Sequence, residues 1–222
     1  MRIVITGANR GIGLALARHY AAAGAEVHGT ARAPERATEL AAVPGVCVHA
    51  LDVRSEASCA ALAAALGDVG VDVLVNNAGV GAWEALDAFD GAQALAIYDT
   101  NALGPVRVTR ALLPLLERAR GKVFHIGSDM GSITHTNQGG AYAYRMSKAA
   151  LGMAGRALAN DLRDRGVASI VVHPGWVRTD MGGRGATLGP EECAEQLAKV
   201  FAARGIESTG RFYSLLDVEL PW

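Results

Sequence analysis

The chain has 222 residues, of which half are hydrophobic and 19% are charged, with 21 basic against 22 acidic side chains. This balance excludes intrinsic disorder, which requires few hydrophobic residues and a high net charge. A net charge of −1 gives no electrostatic basis for binding nucleic acid or a membrane surface, so we expect a small-molecule partner.

Short runs rich in β-branched residues alternate along the chain with longer alanine- and leucine-rich segments of helical periodicity. In chain order, strands are predicted at residues 3–6, 26–31, 46–50, 71–76, 122–126 and 169–173. Helices are predicted at about residues 11–23, 34–40, 55–66, 87–118 and 141–165, with a last helix beginning near Pro190. This alternation predicts an α/β Rossmann fold, a single doubly wound parallel β-sheet with helices on both faces, formed by one domain over residues 1–222.

A glycine-rich segment follows the first predicted strand. Residues 6–13 read TGANRGIG, which places Gly7, Gly11 and Gly13 between a strand and a helix. Doubly wound sheets bind ligands beyond the carboxyl ends of their strands, where glycine lets the backbone approach a pyrophosphate and the helix N-terminus stabilises its charge. A plain tight turn is the alternative interpretation, but the strand before the glycines and the helix after them favour a dinucleotide site.

The residues after the second predicted strand indicate which dinucleotide is bound. An NAD site usually carries an acid there that binds the ribose 2′-hydroxyl, whereas an arginine suits the 2′-phosphate of NADP. Ala31 stands where the acid is expected, Arg32 follows it, and Arg10 lies inside the glycine-rich segment. Two guanidinium groups can clamp a phosphate, so the sequence favours NADP(H) over NAD; the alternative is that both arginines are solvated surface charges.

Tyr144 and Lys148 lie four residues apart in a predicted helix and therefore share one of its faces. A nearby ammonium group lowers the pKa of a tyrosine from its usual ~10, which makes Tyr144 a candidate to exchange a proton with a carbonyl oxygen. The spacing alone is weak evidence because it occurs by chance in many helices. Tyr142 is the competing tyrosine, but the residue four positions after it is Met146.

Together these segments resemble the short-chain dehydrogenase/reductase family. The shared motifs, in the family's order, are TGxxxGxG at residues 6–13, NNAG at residues 76–79, YxxxK at residues 144–148 and PG at residues 174–175. The resemblance spans about residues 3–205. Within the family, SDMGSI at residues 128–133 and LPW at residues 220–222 look like the subgroup of C-factor and sniffer-type carbonyl reductases.

The resemblance implies a set of cofactor-binding residues. Asp52 would bind the adenine amino group beside Val53, although a helix N-cap or turn is an almost equal alternative for this aspartate. Thr179 would lie near the nicotinamide carboxamide, a role that the Val177 backbone could also take. The full set comprises Gly7, Asn9, Arg10, Gly11, Ile12, Gly13, Arg32, Asp52, Val53, Asn77, Ala78, Gly79, Tyr144, Lys148, Pro174, Gly175, Val177 and Thr179.

The resemblance also implies a catalytic set of Asn101, Ser128, Tyr144 and Lys148. Ser128 would bind the substrate oxygen, with Ser132 as a less suitable competitor. Lys148 would bind the nicotinamide ribose, and Asn101 would hold a water that links Lys148 to solvent, unless it only forms a hydrogen bond between helices.

The implied activity is NADP(H)-dependent interconversion of a carbonyl compound and its alcohol by hydride transfer, with the tyrosine as general acid and base. The alternative is a dinucleotide-binding regulatory or signalling protein with vestigial catalysis. By analogy with relatives that pair two long helices across a two-fold axis, we expect a homodimer or homotetramer.

Targeting signals and metal ligands are not apparent in the sequence. No apolar run reaches the roughly 18 residues of a membrane span, and the apolar start of the chain leads directly into a glycine-rich turn. Cys47, Cys59 and Cys193 lie far apart, and neither they nor the six histidines have the spacing of a disulfide framework or a metal site. The sequence therefore predicts a cytoplasmic protein without a metal.

Overall fold

Seven strands form one parallel β-sheet in the computed structural model, which describes residues 1–222. The strands are β1 (Arg2–Ile5), β2 (Glu26–Ala31), β3 (Val46–Ala50), β4 (Val73–Asn76), β5 (Lys122–Ile126), β6 (Ala168–His173) and β7 (Phe212–Ser214). Their order across the sheet is β3-β2-β1-β4-β5-β6-β7, and every neighbouring pair is parallel. The doubly wound fold predicted from the sequence is confirmed.

Seven α-helices connect the strands. They are α1 (Gly11–Ala22), α2 (Thr38–Ala41), α3 (Glu56–Leu66), α4 (Gly91–Tyr98), α5 (Gly104–Ala119), α6 (Tyr142–Leu162) and α7 (Pro190–Ala203). One hydrophobic cluster joins a sheet face to α1, α2 and α7, and a second joins the other face to α3, α5 and the end of α6. No helix combines the length and the apolar character that crossing a membrane demands.

The inner strands β1, β4, β5 and β6 are buried on both faces, which explains their almost continuous apolar sequences, whereas the edge strand β3 is partly exposed. In β1, Ile3 and Ile5 belong to the first cluster, whereas Val4 between them belongs to the second. Burial on opposite sides follows from the two-residue period of a strand. Packing on both faces therefore fixes the position of the carboxyl end of these strands and of the residues that follow it.

The predicted helix at residues 87–118 is wrong as a single element. Asp90 is the N-cap of α4, so a new helix begins after it. Its carboxylate accepts hydrogen bonds from the backbone N–H groups of Ala92 and Gln93. A π-helical turn at Asp99–Leu103 then separates α4 from α5. Such turns often occur at functional sites, and this one contains Asn101.

Smaller differences concern short elements. The segment predicted as a helix at residues 34–40 is a 3₁₀ turn at Pro34–Arg36 followed by the one-turn helix α2. Strand β4 begins two residues later than predicted, and α6 gives way to a 3₁₀ turn at Arg163–Arg165. Strand β7 was not predicted, since three residues are too few to show a periodicity.

Candidate active site

A cavity of about 1460 Å³ opens at the carboxyl ends of the strands. It lies where the strand order changes direction between β1 and β4, the place at which doubly wound sheets bind their ligands. The structure brings together there the following predicted residues: Gly7, Asn9, Arg10, Gly11, Ile12, Arg32, Asp52, Val53, Asn77, Ala78, Gly79, Ser128, Tyr144, Lys148, Pro174, Gly175, Val177 and Thr179. Gly13 and Asn101 do not line the cavity.

The glycine-rich segment turns sharply from β1 into α1. Gly7 has a φ of +63°, and a Cβ there would lie 2.9 Å from the Cα of Ala78. A Cβ on Gly13 would lie 2.5 Å from the side-chain nitrogen Nδ2 of Asn77, so the absence of a side chain at Gly13 allows close packing behind the cavity wall. No side chain caps the N-terminus of α1, which leaves its first backbone N–H groups available to an anion.

Thr6 and Asn77 join the ends of β1 and β4. The hydroxyl of Thr6 accepts hydrogen bonds from the backbone N–H groups of Asn77 (3.0 Å) and Ala78 (2.9 Å). The side-chain amide of Asn77 donates to the carbonyl oxygens of Thr6 (2.9 Å) and Gly7 (3.1 Å). These bonds brace the ends of the two neighbouring strands, and Thr6 was not among the predicted site residues.

Three arginines, in the segments after β1, β2 and β3, line the cavity together with the carboxylates of Asp52 and Asp180. Arg10 pairs with Asp180 at 2.5 Å, and Arg54 pairs with Asp52 through both carboxylate oxygens, at 3.0 and 2.6 Å. The hydrogen bonds from Arg54 are the main reason that the pKa of Asp52 falls to about 2. Arg32 is exposed and pairs with no carboxylate.

Lys148 lies on the face of α6 that the sequence predicts, beside Tyr144. Its Nζ is 5.6 Å from the centroid of the Tyr144 ring and donates a hydrogen bond to the carbonyl oxygen of Ile126 at 2.7 Å. Burial lowers the pKa of Lys148 to about 8. The ammonium group therefore remains largely protonated at neutral pH but loses its charge in mildly alkaline solution.

The expected lowering of the Tyr144 pKa is wrong for this structure. Burial raises the pKa of Tyr144, and the charge of Asp129 raises it further, while a hydrogen bond with Ser128 lowers it. Desolvation disfavours the phenolate more strongly than its polar neighbours favour it. Tyr144 is therefore a protonated phenol at neutral pH, which suits a proton donor.

Ser128, and not Ser132, faces the cavity. Ser128 follows β5, and its hydroxyl accepts a hydrogen bond from the backbone N–H of Met130 at 3.2 Å. Ser132 is buried away from the cavity and accepts a hydrogen bond from the backbone N–H of His135. Tyr142, the competing tyrosine, packs edge-on against Phe89 outside the cavity.

Asn101 is completely buried in the π-helical turn. Its side chain accepts a hydrogen bond from the Val80 backbone N–H (2.9 Å) and donates one to the Val80 carbonyl oxygen (2.8 Å). Its amide also donates to the hydroxyl of Ser147 on α6 at 2.9 Å. The side chain thus connects the segment after β4 to α6, and the predicted water link to Lys148 stays a prediction.

The outer wall of the cavity carries further residues beyond the predicted set. Trp83, Trp176 and Met181 add apolar surface, and the Trp83 ring lies 5.0 Å from that of Tyr144. Asp129 and Asp180 also line the cavity, as does Arg54. Asp129 could have been predicted as a site residue from the sequence, because it directly follows Ser128 after the end of β5.

Comparisons with known proteins identify the family to which the chain belongs. The sequence model of the short chain dehydrogenase family matches residues 1–187. The C-signal protein of Myxococcus xanthus is 49% identical over 154 residues, which cover 68% of this chain and 93% of that protein. The NADPH-bound carbonyl reductase from chicken fatty liver is 31% identical with a TM-score of 0.94, covering 100% of this chain and 98% of that one. The carbonyl reductase Sniffer of D. melanogaster is also 31% identical with a TM-score of 0.94, covering 100% and 99%.

The chain therefore belongs to the short-chain dehydrogenase/reductase family of oxidoreductases. Within that family it is similar to C-signal and to the sniffer-type carbonyl reductases, as the sequence predicts.

Proposed function

We propose that this protein is an NADP(H)-dependent carbonyl reductase that also catalyses the reverse oxidation of an alcohol. The observation that carries the proposal is the convergence of Ser128, Tyr144 and Lys148 on the cavity that also contains the glycine-rich segment. Placement of a phenol donor, a hydroxyl and an ammonium group beside a dinucleotide cleft suits proton transfer to a carbonyl oxygen.

The cavity fits a dinucleotide with a 2′-phosphate. The uncapped N-terminus of α1 and the close approach allowed at Gly7 would hold the pyrophosphate. Arg10 and Arg32 line the cavity and would hold a 2′-phosphate, and the three residues directly after β2 include no acid to repel it. Structural neighbours described as NADPH-bound and NADP-bound support the same choice.

The chain's own residues account for proton delivery. A bound nicotinamide supplies the hydride. Ser128 holds the substrate oxygen, and Tyr144, kept protonated by burial, donates the proton to it. Lys148 presents a positive charge beside the phenol and is available to a ribose hydroxyl. Asn101 fixes the segment after β4 against α6, which sets the distance between cofactor cleft and proton donor.

A purely regulatory dinucleotide-binding role is not favoured. Such a role requires only the phosphate-binding end of the cleft, whereas here the residues of the catalytic set also converge on the cavity or support its wall.

We also propose assembly as a homodimer or homotetramer. The exposed apolar side chains of Leu95 on α4 and Met153 on α6 support this proposal.

The test is a titration of the purified protein with NADPH and with NADH, followed by nicotinamide fluorescence, and then an assay of NADPH oxidation with a panel of aldehydes and ketones. We expect tight NADPH binding, weak NADH binding and turnover of at least one carbonyl compound. Binding of neither nucleotide would overturn the proposal. Binding of NADPH with no turnover across the panel would favour the regulatory alternative.

A further inference from the structure

Asp129 places a carboxylate at the catalytic end of the cavity. It directly follows Ser128, lines the cavity, and has half of its side chain exposed. The hydroxyl of Ser128 lies 3.4 Å from its Oδ1. Ser128, Asp129 and Tyr144 all line the cavity, and the charge of Asp129 adds to the effect of burial in raising the pKa of Tyr144.

No cation neutralises this carboxylate. The basic group within ion-pair distance is His173, whose Nε2 lies 3.8 Å from Oδ2. The Nδ1 of His173 accepts a hydrogen bond from the backbone N–H of Asp129 at 3.3 Å, which requires an unprotonated Nδ1 and therefore a neutral ring. Burial also lowers the pKa of His173. The ammonium of Lys148 donates to the carbonyl oxygen of Ile126, and no ion pair joins it to Asp129.

The two ends of the cavity therefore differ in charge. Asp52 and Asp180 are paired with Arg54 and Arg10, whereas Arg32, Arg178 and Arg184, which also line the cavity, have no carboxylate partner. Arg178 donates instead to the carbonyl oxygens of Ala186 and Thr187. At the catalytic end, Asp129 has no cationic partner, and the exposed indoles of Trp83 and Trp176 line the same cavity, with the Trp83 ring 5.0 Å from that of Tyr144. Indole faces attract cations, and a carboxylate beside them strengthens that attraction.

We propose that Asp129 selects the charge of the substrate, so that the enzyme prefers carbonyl compounds carrying a cationic group, such as amino ketones and amino aldehydes, over those carrying a carboxylate. This inference rests on the proposed reductase function. A carboxylate on the substrate would be repelled by Asp129, to which no cation is paired, whereas an ammonium group would complete an ion pair with it.

The experiment compares kcat/KM for NADPH-dependent reduction of three benzaldehydes that carry a carboxylate, a methyl or a trimethylammonium group at the end of the same para ethylene spacer. The spacer keeps the charge from altering the reactivity of the carbonyl carbon. The wild-type enzyme should prefer the cationic over the anionic aldehyde by about 10-fold, the size expected for a half-exposed charge at short range. Asp129→Asn should bring this ratio close to one, and Asp129→Lys should invert it. High salt should shrink the wild-type ratio, because exposed charges are screened.

The ratio separates substrate selection from proton transfer. Replacing Asp129 also changes the pKa of Tyr144, but that change affects all three aldehydes alike and cancels in the ratio. Asp161→Asn, an exposed change on α6 away from the cavity, is the matched control and should keep the wild-type ratio.

Two failures are distinguishable. Turnover with a charge preference that Asp129→Asn and Asp129→Lys leave unchanged overturns this inference alone. A wild-type protein that reduces none of the three aldehydes, nor any other carbonyl compound of a wider panel, overturns the proposed function and the inference with it.

Discussion

The Nη1 of Arg10 lies 2.5 Å from the Oδ2 of Asp180, so an ion pair joins the glycine-rich segment to the segment that follows β6. Both side chains are more than half exposed, and exposed pairs of this kind contribute at most about 1 kcal/mol. A cofactor phosphate must compete with Asp180 for the guanidinium group. The proposed 2′-phosphate site is therefore partly occupied by a carboxylate of the same chain.

Removing that competition should tighten NADPH binding. Asp180→Asn frees Arg10, and about 1 kcal/mol corresponds to an increase in NADPH affinity of up to about 5-fold. NADH lacks the 2′-phosphate, so its affinity should stay within about 2-fold. Fluorescence titration with both nucleotides measures the two values, and equal tightening of NADH binding would contradict the assignment.

Removing the arginines should have the opposite effect. Arg10→Gln and Arg32→Gln each delete a charge-assisted hydrogen bond to phosphate, worth about 1.5–3 kcal/mol, so each should weaken NADPH binding by about 10-fold or more. Arg36→Gln, an exposed change outside the cavity, is the control. If neither variant alters the preference for NADPH over NADH, the two arginines are surface charges only.

The fall of reductase activity at alkaline pH, the alkaline limb of the pH profile, should reflect loss of the proton from Lys148. Its pKa is about 8 because of burial, so its positive charge is present below pH 8 and is lost as the pH rises through that value. Tyr144 keeps its proton to higher pH, since burial raises its pKa, and cannot cause this limb. We expect kcat/KM to fall above pH 8 and the limb to move to higher pH in Lys148→Arg. An unchanged limb in an active Lys148→Arg enzyme would assign it to another group.

Folding stability should decline in mildly acidic solution. The ring nitrogens of His125 form hydrogen bonds with the side chains of Asn76 and Ser169, and burial lowers the pKa of His125 from 6.5 to about 4. The unfolded chain therefore binds a proton below pH 6.5 that the folded chain excludes, so stability is lost as the pH falls from 6.5 towards 4, by about 3 kcal/mol from this residue. Urea unfolding at several pH values measures the slope, which should be shallower in His125→Gln and unaltered in the exposed control His135→Gln.

Glu84 should position the proton donor without touching the substrate. Its carboxylate accepts a hydrogen bond from the backbone N–H of Ala143 at 2.7 Å, and its carbonyl oxygen accepts one from Ala141, so it holds the start of α6 next to Tyr144. Glu84→Ala should cost about 1 kcal/mol of stability, as the loss of a helix cap does, and lower kcat about 10-fold. Glu84→Gln retains an acceptor and should restore most of kcat. Equal loss of kcat in both variants would argue against positioning.

The sequence was sufficient to predict six of the strands and the residues that follow them, because strands buried on both faces have continuous apolar sequences and end abruptly at polar or glycine-rich turns. It could not reveal the break inside residues 87–118. Helical periodicity continues through the π-helical turn, so the pattern around Asn101 reads as one helix. Strand β7 is too short to be detected.

Pairings between distant residues were also beyond the sequence. Arg10 and Asp180 are 170 positions apart, and only the folded sheet brings them together. The direction of the Tyr144 pKa depends on how completely α6 and Trp83 remove the phenol from water, which spacing within the helix does not show. The sequence showed Lys148 four residues after Tyr144, but it did not show the larger effect of burial on the pKa of Tyr144.

Tyr144→Phe separates cofactor binding from proton transfer when NADPH affinity and NADPH-dependent carbonyl reduction are measured in the same preparation. Loss of the phenol hydroxyl removes the proton donor and leaves the glycine-rich segment and the arginines in place. We predict NADPH affinity within about 3-fold of the wild type and turnover reduced at least about 1000-fold. Turnover at or near the wild-type rate would contradict the assignment of Tyr144 as the proton donor.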